Sequence, residues 1–209
     1  MKLEVDIIGR ESLSDGFLKL NRYRLARARQ GGLSETEGMA LVDMECIEGL
    51  CAAAVLPFDP TSGSIVLVEQ LRVGALNAAG GGLLWEPPGG VIEVGQSAAE
   101  TARREAWEEA GCRIGAMAWI GTCRPSPGYS DESVELFCGE ASIAGLPDVG
   151  GDPREGERTR VVVWDLDRVI RELGREPYTA ATLMICVQWL ALNRHRIQEL
   201  WAGMQDGSD

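Results

Sequence analysis

Glu105, Glu108 and Glu109 stand at positions i, i+3 and i+4, the spacing at which a helix stacks side chains on one face as near neighbours. Three carboxylates so placed repel one another unless a cation offsets them. Arg104 beside them is one candidate. A hard divalent ion, Mg2+ or Mn2+, is the other, because such ions prefer oxygen ligands and keep positions for water and phosphate. Taken alone, the three glutamates also suit a solvated acidic face with Arg103 and Arg104 as salt-bridge partners. Other metal chemistry has little raw material. The single histidine, His195, lies in a basic stretch, and the six cysteines contain no CxxC pair, which argues against a zinc site or a histidine-based triad. Most cysteines sit inside apolar runs and are expected to be reduced and buried.

Composition sets the remaining bounds. A net charge of −12 repels a nucleic acid backbone, so no nucleic-acid partner is expected, while a small phosphorylated substrate can bind through a metal and a few local arginines. The 209 residues, 45% of them hydrophobic, suffice for one packed domain plus an extra element of about fifty residues. No uncharged apolar run is long enough to span a bilayer, and residues 1–10 mix Lys2, Glu4 and Asp6 into the apolar positions. The expectation is a cytoplasmic protein with no signal peptide and no membrane segment.

The elements that must position the glutamates follow from periodicity. Ala98, Ala102, Ala106 and Ala110 recur four apart, which predicts an amphipathic helix over 97–110. Ser97 with Glu100 fits a capping box at its start, and Gly111 supplies the stop. The run CAAAVLPF at 51–58 predicts a strand, residues 59–63 a turn, and 64–70 the hairpin partner. Gly80-Gly81-Gly82 marks a loop, and Pro87-Pro88-Gly89-Gly90 excludes helix there. Further strands are expected at 112–122, 133–141 and 160–164, with a long polar loop at 145–158. Helices are expected at 165–173 and, as one unbroken element, at about 179–203. Residues 1–50 read as an arm, with a strand at 17–25 and a small sheet of its own, ahead of a catalytic domain at 51–209.

The stretch Gly90-x5-Gln96-x7-Arg104-Glu105-Ala106-Trp107-Glu108-Glu109-Ala110-Gly111-Cys112 resembles the Nudix box from end to end. The resemblance implies an α+β Nudix fold, a mixed β-sheet sandwiched between α-helices, here with an N-terminal antiparallel β arm. It implies that Glu105, Glu108 and Glu109 bind Mg2+ or Mn2+, with the Gly89 carbonyl completing the set, and that Arg104 steers the carboxylates by charge-assisted hydrogen bonds. Gln96 stands where the family has glutamate. If that glutamate normally pairs with the arginine, Gln96 gives a weaker neutral bond, and Glu100, four residues before Arg104, is placed to supply the missing charge. If that glutamate instead binds metal or activates water, the glutamine lowers catalysis, and replacing Gln96 with glutamate is expected to raise turnover or metal affinity.

Pro127, fifteen residues after Cys112 and within Ser126-Pro127-Gly128, is similar to the ADP-ribose pyrophosphatase branch of that family. So are residues 53–60, 69–72, 84–86 and 187–190. This likeness implies metal-dependent hydrolysis of the pyrophosphate bond of ADP-ribose to AMP and ribose 5-phosphate. It implies a role for Glu155 or Glu157 in activating water, with Glu157 also helping to hold metal, and a homodimer whose arms exchange. Arg72 becomes a candidate phosphate contact and Glu86 an acceptor for nucleotide groups, each with a plain strand-end surface charge as the other reading. Pro127 and Gly128 become candidate substrate contacts. Between 39 and 50, where the branch often carries basic residues, this chain has Asp43, Met44, Glu45 and Glu48. A GDP- or ADP-sugar pyrophosphatase and a non-catalytic nucleotide sensor are the alternatives.

Overall fold

The structure is a computed structural model that describes residues 5–27, 40–49, 51–151 and 158–205. They fall into two units, residues 1–50 with 126–132, and residues 51–125 with 133–209.

The first unit is a three-stranded antiparallel sheet of β1 (Val5–Asp15), β2 (Lys19–Arg27) and β3 (Ala40–Glu48). Its central strand starts two residues later than the sequence pattern suggests, because Phe17 lies in the bend before β2 and is exposed. Charged side chains pair across the ladder. Arg24 on β2 meets Asp43 on β3 at 2.9 Å, Arg22 meets Glu45 at 2.9 Å, and Glu48 pairs with Arg10 and Tyr23. The acidic residues of β3 are therefore partners of basic residues on β1 and β2. The turn at 126–132 joins this unit through the main chain, with Ile47 N donating to Tyr129 O at 2.8 Å and Asp131 N to Ile47 O at 3.0 Å.

In the second unit, β4 (Cys51–Asp59) is buried almost throughout, which requires cover on both faces of its sheet. It lies between β5 (Ser64–Leu71) and β9 (Ser133–Glu140), antiparallel to the first and parallel to the second. Also in this sheet are β6 (Leu83–Glu86), β7 (Gly89–Val91), β8 (Met117–Cys123), β10 (Val149–Gly150) and β11 (Thr159–Asp165). Alternate side chains point to opposite faces. Ala53, Val55, Val66 and Val68 pack with Ala102, Ala106 and Ala110 of α1 (Ala98–Ala110). Ala54, Leu56, Phe58, Ile65 and Leu67 pack with Val169 of α2 (Leu166–Glu172) and with Leu183, Val187 and Leu190 of α3 (Ala181–Asn193). The sheet is sandwiched between helices as expected, and each fully buried leucine or valine contributes about 1.5–3 kcal/mol.

Three local expectations are corrected. The strand placed at 112–122 begins only at Met117, because the carbonyls of Ile114 and Gly115 are taken by Arg103 Nη1, at 2.6 Å each. The single C-terminal helix is broken. A 3₁₀ turn at Arg194–Arg196 separates α3 from α4 (Ile197–Gln205), and the new direction buries Ile197 and Trp201, whose Nε1 donates to Cys138 O at 3.1 Å. Cys112, Cys138 and Cys186 are buried and free, but Cys51 is exposed. Burial pushes the Cys112 thiol up to about 11 and those of Cys138 and Cys186 well above the ordinary thiol range, so these three are inert apolar fillers. Among the described residues, no helix is long and apolar enough to cross a membrane.

Candidate active site

The glutamates are set by how α1 begins, packs and ends. Ser97 and Glu100 form the expected capping box, and Gly111 closes the helix in the left-handed conformation. With the alanine stripe against the sheet, Glu105 and Glu109 are drawn into burial, at 8% and 2% exposure, while Glu108 stays half-buried. Buried carboxylates need partners. Glu109 Oε2 accepts from Gly89 N at 2.9 Å. Gly90 lies so close to Glu105 that a Cβ there would collide with its carboxylate. Strand β7 is thus laid against both buried carboxylates, and Val55 N holds it from the other side through Pro88 O at 3.0 Å.

Arg104 ties the cluster together. Its Nη2 pairs with Glu105 Oε1 at 2.9 Å and its Nη1 with Glu108 Oε2 at 2.7 Å, while Glu93 Oε1 lies 3.8 Å from Nη2. Burial opposes its charge, but the hydrogen bond to Glu108 and the charges of Glu105, Glu108 and Glu93 outweigh that and hold the guanidinium above its ordinary pKa. The neutral bond expected from Gln96 is present and long, 3.4 Å from Arg104 Nε to Gln96 Oε1. Glu100 does not supply the missing charge. Its Oε2 accepts from Ser97 N at 2.8 Å and Ser97 Oγ at 2.7 Å, so the cap uses it. The carboxylate that faces Arg104 beside Gln96 is Glu93, which sequence reasoning missed because nothing in its spacing marks it.

The far end of α1 is held equally closely. Glu108 O accepts from Gly151 N at 2.8 Å, and Glu109 O from the buried Thr159 Oγ1 at 2.6 Å. A Cβ on Gly150 would collide with the Glu109 main chain. Thr159 gave no signal in the sequence. Glu155 and Glu157 lie outside the described residues. Arg72 and Glu86 are found bound to each other, with Arg72 Nε and Nη2 donating to Glu86 Oε2 at 2.9 and 2.5 Å. Pro127 and Gly128 are exposed and belong to the unit of the arm.

Residues 50–179 match the NUDIX domain. The chain belongs to the Nudix family. Along 96% of its length it is 33% identical to the ADP-ribose pyrophosphatase of Escherichia coli (strain K12), of which it covers 94%. It is 29% identical to that of Haemophilus influenzae, covering 91%. A GDP-mannose pyrophosphatase of Cronobacter sakazakii is 26% identical, with 92% of this chain and 97% of the relative covered. The crystal structure of an ADP compounds hydrolase shares the fold, with a TM-score of 0.69 at 18% identity over 92% of this chain and 98% of that one. The protein is a Nudix pyrophosphohydrolase.

In this Nudix enzyme the donor chemistry suits a hard divalent ion. Three carboxylates share one helix face, two of them are buried against Gly89 and Gly90, and no thiol or imidazole stands among them. As the side chains lie, Arg104 bridges Glu105 and Glu108, and among the described residues no three such side chains close to metal-holding distance. An ion would be held by oxygens of these carboxylates, with Arg104 keeping Glu105 and Glu108 in place.

Proposed function

We propose that the enzyme hydrolyses the pyrophosphate bond of ADP-ribose to AMP and ribose 5-phosphate, with Mg2+ or Mn2+ held by Glu105, Glu108, Glu109, Glu157 and the Gly89 carbonyl. The observation that carries the reading is the Gly89–Gly90 strand laid on the buried Glu105 and Glu109 with Arg104 beside them, within a chain collinear with ADP-ribose pyrophosphatases over nearly its whole length. A bound divalent ion would draw charge off the diphosphate oxygens. Arg104 orients Glu105 and Glu108 through two short charge-assisted bonds. Glu155 or Glu157 takes the proton of the attacking water as its oxygen bonds to phosphorus and the bridging oxygen departs. Arg72, Glu86, Pro127 and Gly128 contact the nucleotide, and the Arg72–Glu86 pair would have to open or reorient to do so. The assignment carries with it a cytoplasmic homodimer in which the arm, residues 1–50, contributes to the interface.

The likeness to a GDP-mannose pyrophosphatase supports a second reading, a GDP-sugar substrate on the same machinery. Both are tested by supplying ADP-ribose or GDP-mannose with Mg2+ and identifying products by chromatography. AMP should be released from ADP-ribose with the higher kcat/KM, and Glu109→Gln should lower that rate roughly hundredfold or more. A higher kcat/KM for GMP release from GDP-mannose would replace the first reading with the second.

A further inference from the structure

We propose that Glu93 is a positioning residue of this site, carrying the negative charge that position 96 lacks. The inference rests on the functional reading above. Gln96 uses both ends of its amide: Nε2 donates to Glu93 Oε2 at 3.0 Å, while Oε1 accepts from Thr101 Oγ1 at 3.0 Å and from Arg104 Nε at 3.4 Å. The other oxygen of Glu93 faces Arg104 Nη2, the nitrogen that holds Glu105, at 3.8 Å. Glu93 thus touches the guanidinium through charge and, by way of the Gln96 amide, through a hydrogen-bonded relay.

An amide is what allows this arrangement. A carboxylate at 96 could not donate to Glu93 and would repel it, so a glutamine at 96 and a carboxylate at 93 form a matched pair. The other nearby acid, Glu100, is spent on the Ser97 cap. Glu93 therefore keeps the guanidinium turned so that Nη2 serves Glu105 and Nη1 serves Glu108. Its role is to set the direction of the carboxylates and not to touch substrate. The consequence reverses the simple expectation for position 96: Gln96→Glu in the otherwise unaltered chain brings no gain in turnover or metal affinity, because it turns the relay into a like-charge contact.

The test uses the full chain and four forms: the natural protein, Glu93→Gln, Gln96→Glu and the double variant. Mn2+ affinity is measured by calorimetry without substrate, kcat and KM with ADP-ribose and Mg2+, and the thermal midpoint separately. Glu93→Gln should weaken Mn2+ binding and lower kcat about threefold to fivefold, the range of one exposed ion pair, with KM and midpoint unchanged. Adding Gln96→Glu to that variant should restore both. A Glu93→Gln protein with natural Mn2+ affinity and kcat overturns the inference, as does a double variant worse than the single one. Because Mn2+ is read without substrate, a protein that shows the Mn2+ pattern but never cleaves ADP-ribose sinks the substrate reading and leaves Glu93 in place. A natural protein that binds no Mn2+ overturns both.

Discussion

Carboxylates crowd two regions of this molecule, strand β3 of the arm and helix α1, and the two regions answer the crowding differently. On β3, Asp43 meets Arg24, Glu45 meets Arg22, which also reaches Glu11, and Glu48 meets Arg10 and Tyr23. On α1 a single guanidinium is divided among Glu93, Glu105 and Glu108. Ion pairs spread over several arginines on the face of a small sheet neutralise charge and add little stability. The shared arginine draws two glutamates of one helix face together, while the third, Glu109, is held by the Gly89 amide. On the proposed function, the difference separates acids paired across a sheet from acids gathered to hold a metal.

The sharpest way to break that contrast is to remove one carboxylate from each region. Glu105→Gln should lower kcat by about hundredfold while leaving the thermal midpoint unchanged or raised, since a crowded charge has gone. Glu45→Gln should leave kcat where it is. Steady-state kinetics and a melting curve on each variant decide it, and equal losses of kcat would erase the distinction between the two acidic regions.

A smaller effect is expected where α1 is anchored. Thr159 is buried, and its hydroxyl donates to the carbonyl of Glu109 at 2.6 Å. Thr159→Val keeps the shape and leaves that carbonyl without the hydroxyl, at a cost of about 1–3 kcal/mol. Urea denaturation should show the loss. A midpoint equal to that of the natural chain would mean that the end of α1 is held by Gly151 and packing alone.

How much could be read in advance depended on how local the determinant was. The helix at 98–110, its cap and its stop were legible because Ser97, Glu100, the alanines and Gly111 act within one element. The β4–β5 hairpin was legible for the same reason, since Asp59 Oδ1 accepts from Thr61 N at 2.8 Å inside the turn itself. Partners that meet only in the fold were not legible. The acids of β3 looked like a missing basic surface until Arg22 and Arg24 were found across the ladder, and Arg72 and Glu86, fourteen residues apart, looked like two separate ligand contacts. The break at residues 194–196 was hidden because apolar spacing continues through it: Leu190 and Ile197 are both buried, on different helices. Glu93 was hidden for the opposite reason, since it stands inside the recognised box but at a position whose use depends on the glutamine three residues on.

The smallest effects concern acid stability, and they set the arm against the core once more. Asp59 and Asp43 both have carboxyls held below their usual range, for different reasons. Burial would raise Asp59, but the amides of Thr61, Ile143 and Ser62 outweigh it. Asp43 is lowered first by its hydrogen bond from Arg24, at an exposed site. A carboxyl depressed in the folded state contributes stability that is fully present above its unfolded pKa, about 3.9, and is lost as pH falls through the folded value. Asp59→Asn should therefore flatten the loss of stability below about pH 4, and salt should not alter the difference, because a buried carboxylate held by main-chain amides is poorly screened. Asp43→Asn should flatten it less, and the difference should vanish at roughly 1 M salt, where the Debye length falls to about 3 Å. Urea denaturation across that pH range at low and high salt measures both. An Asp43 effect that survived salt would mean the arm's ion pairs are shielded from solvent, and the contrast between the two acidic regions would then rest on the sharing of Arg104 alone.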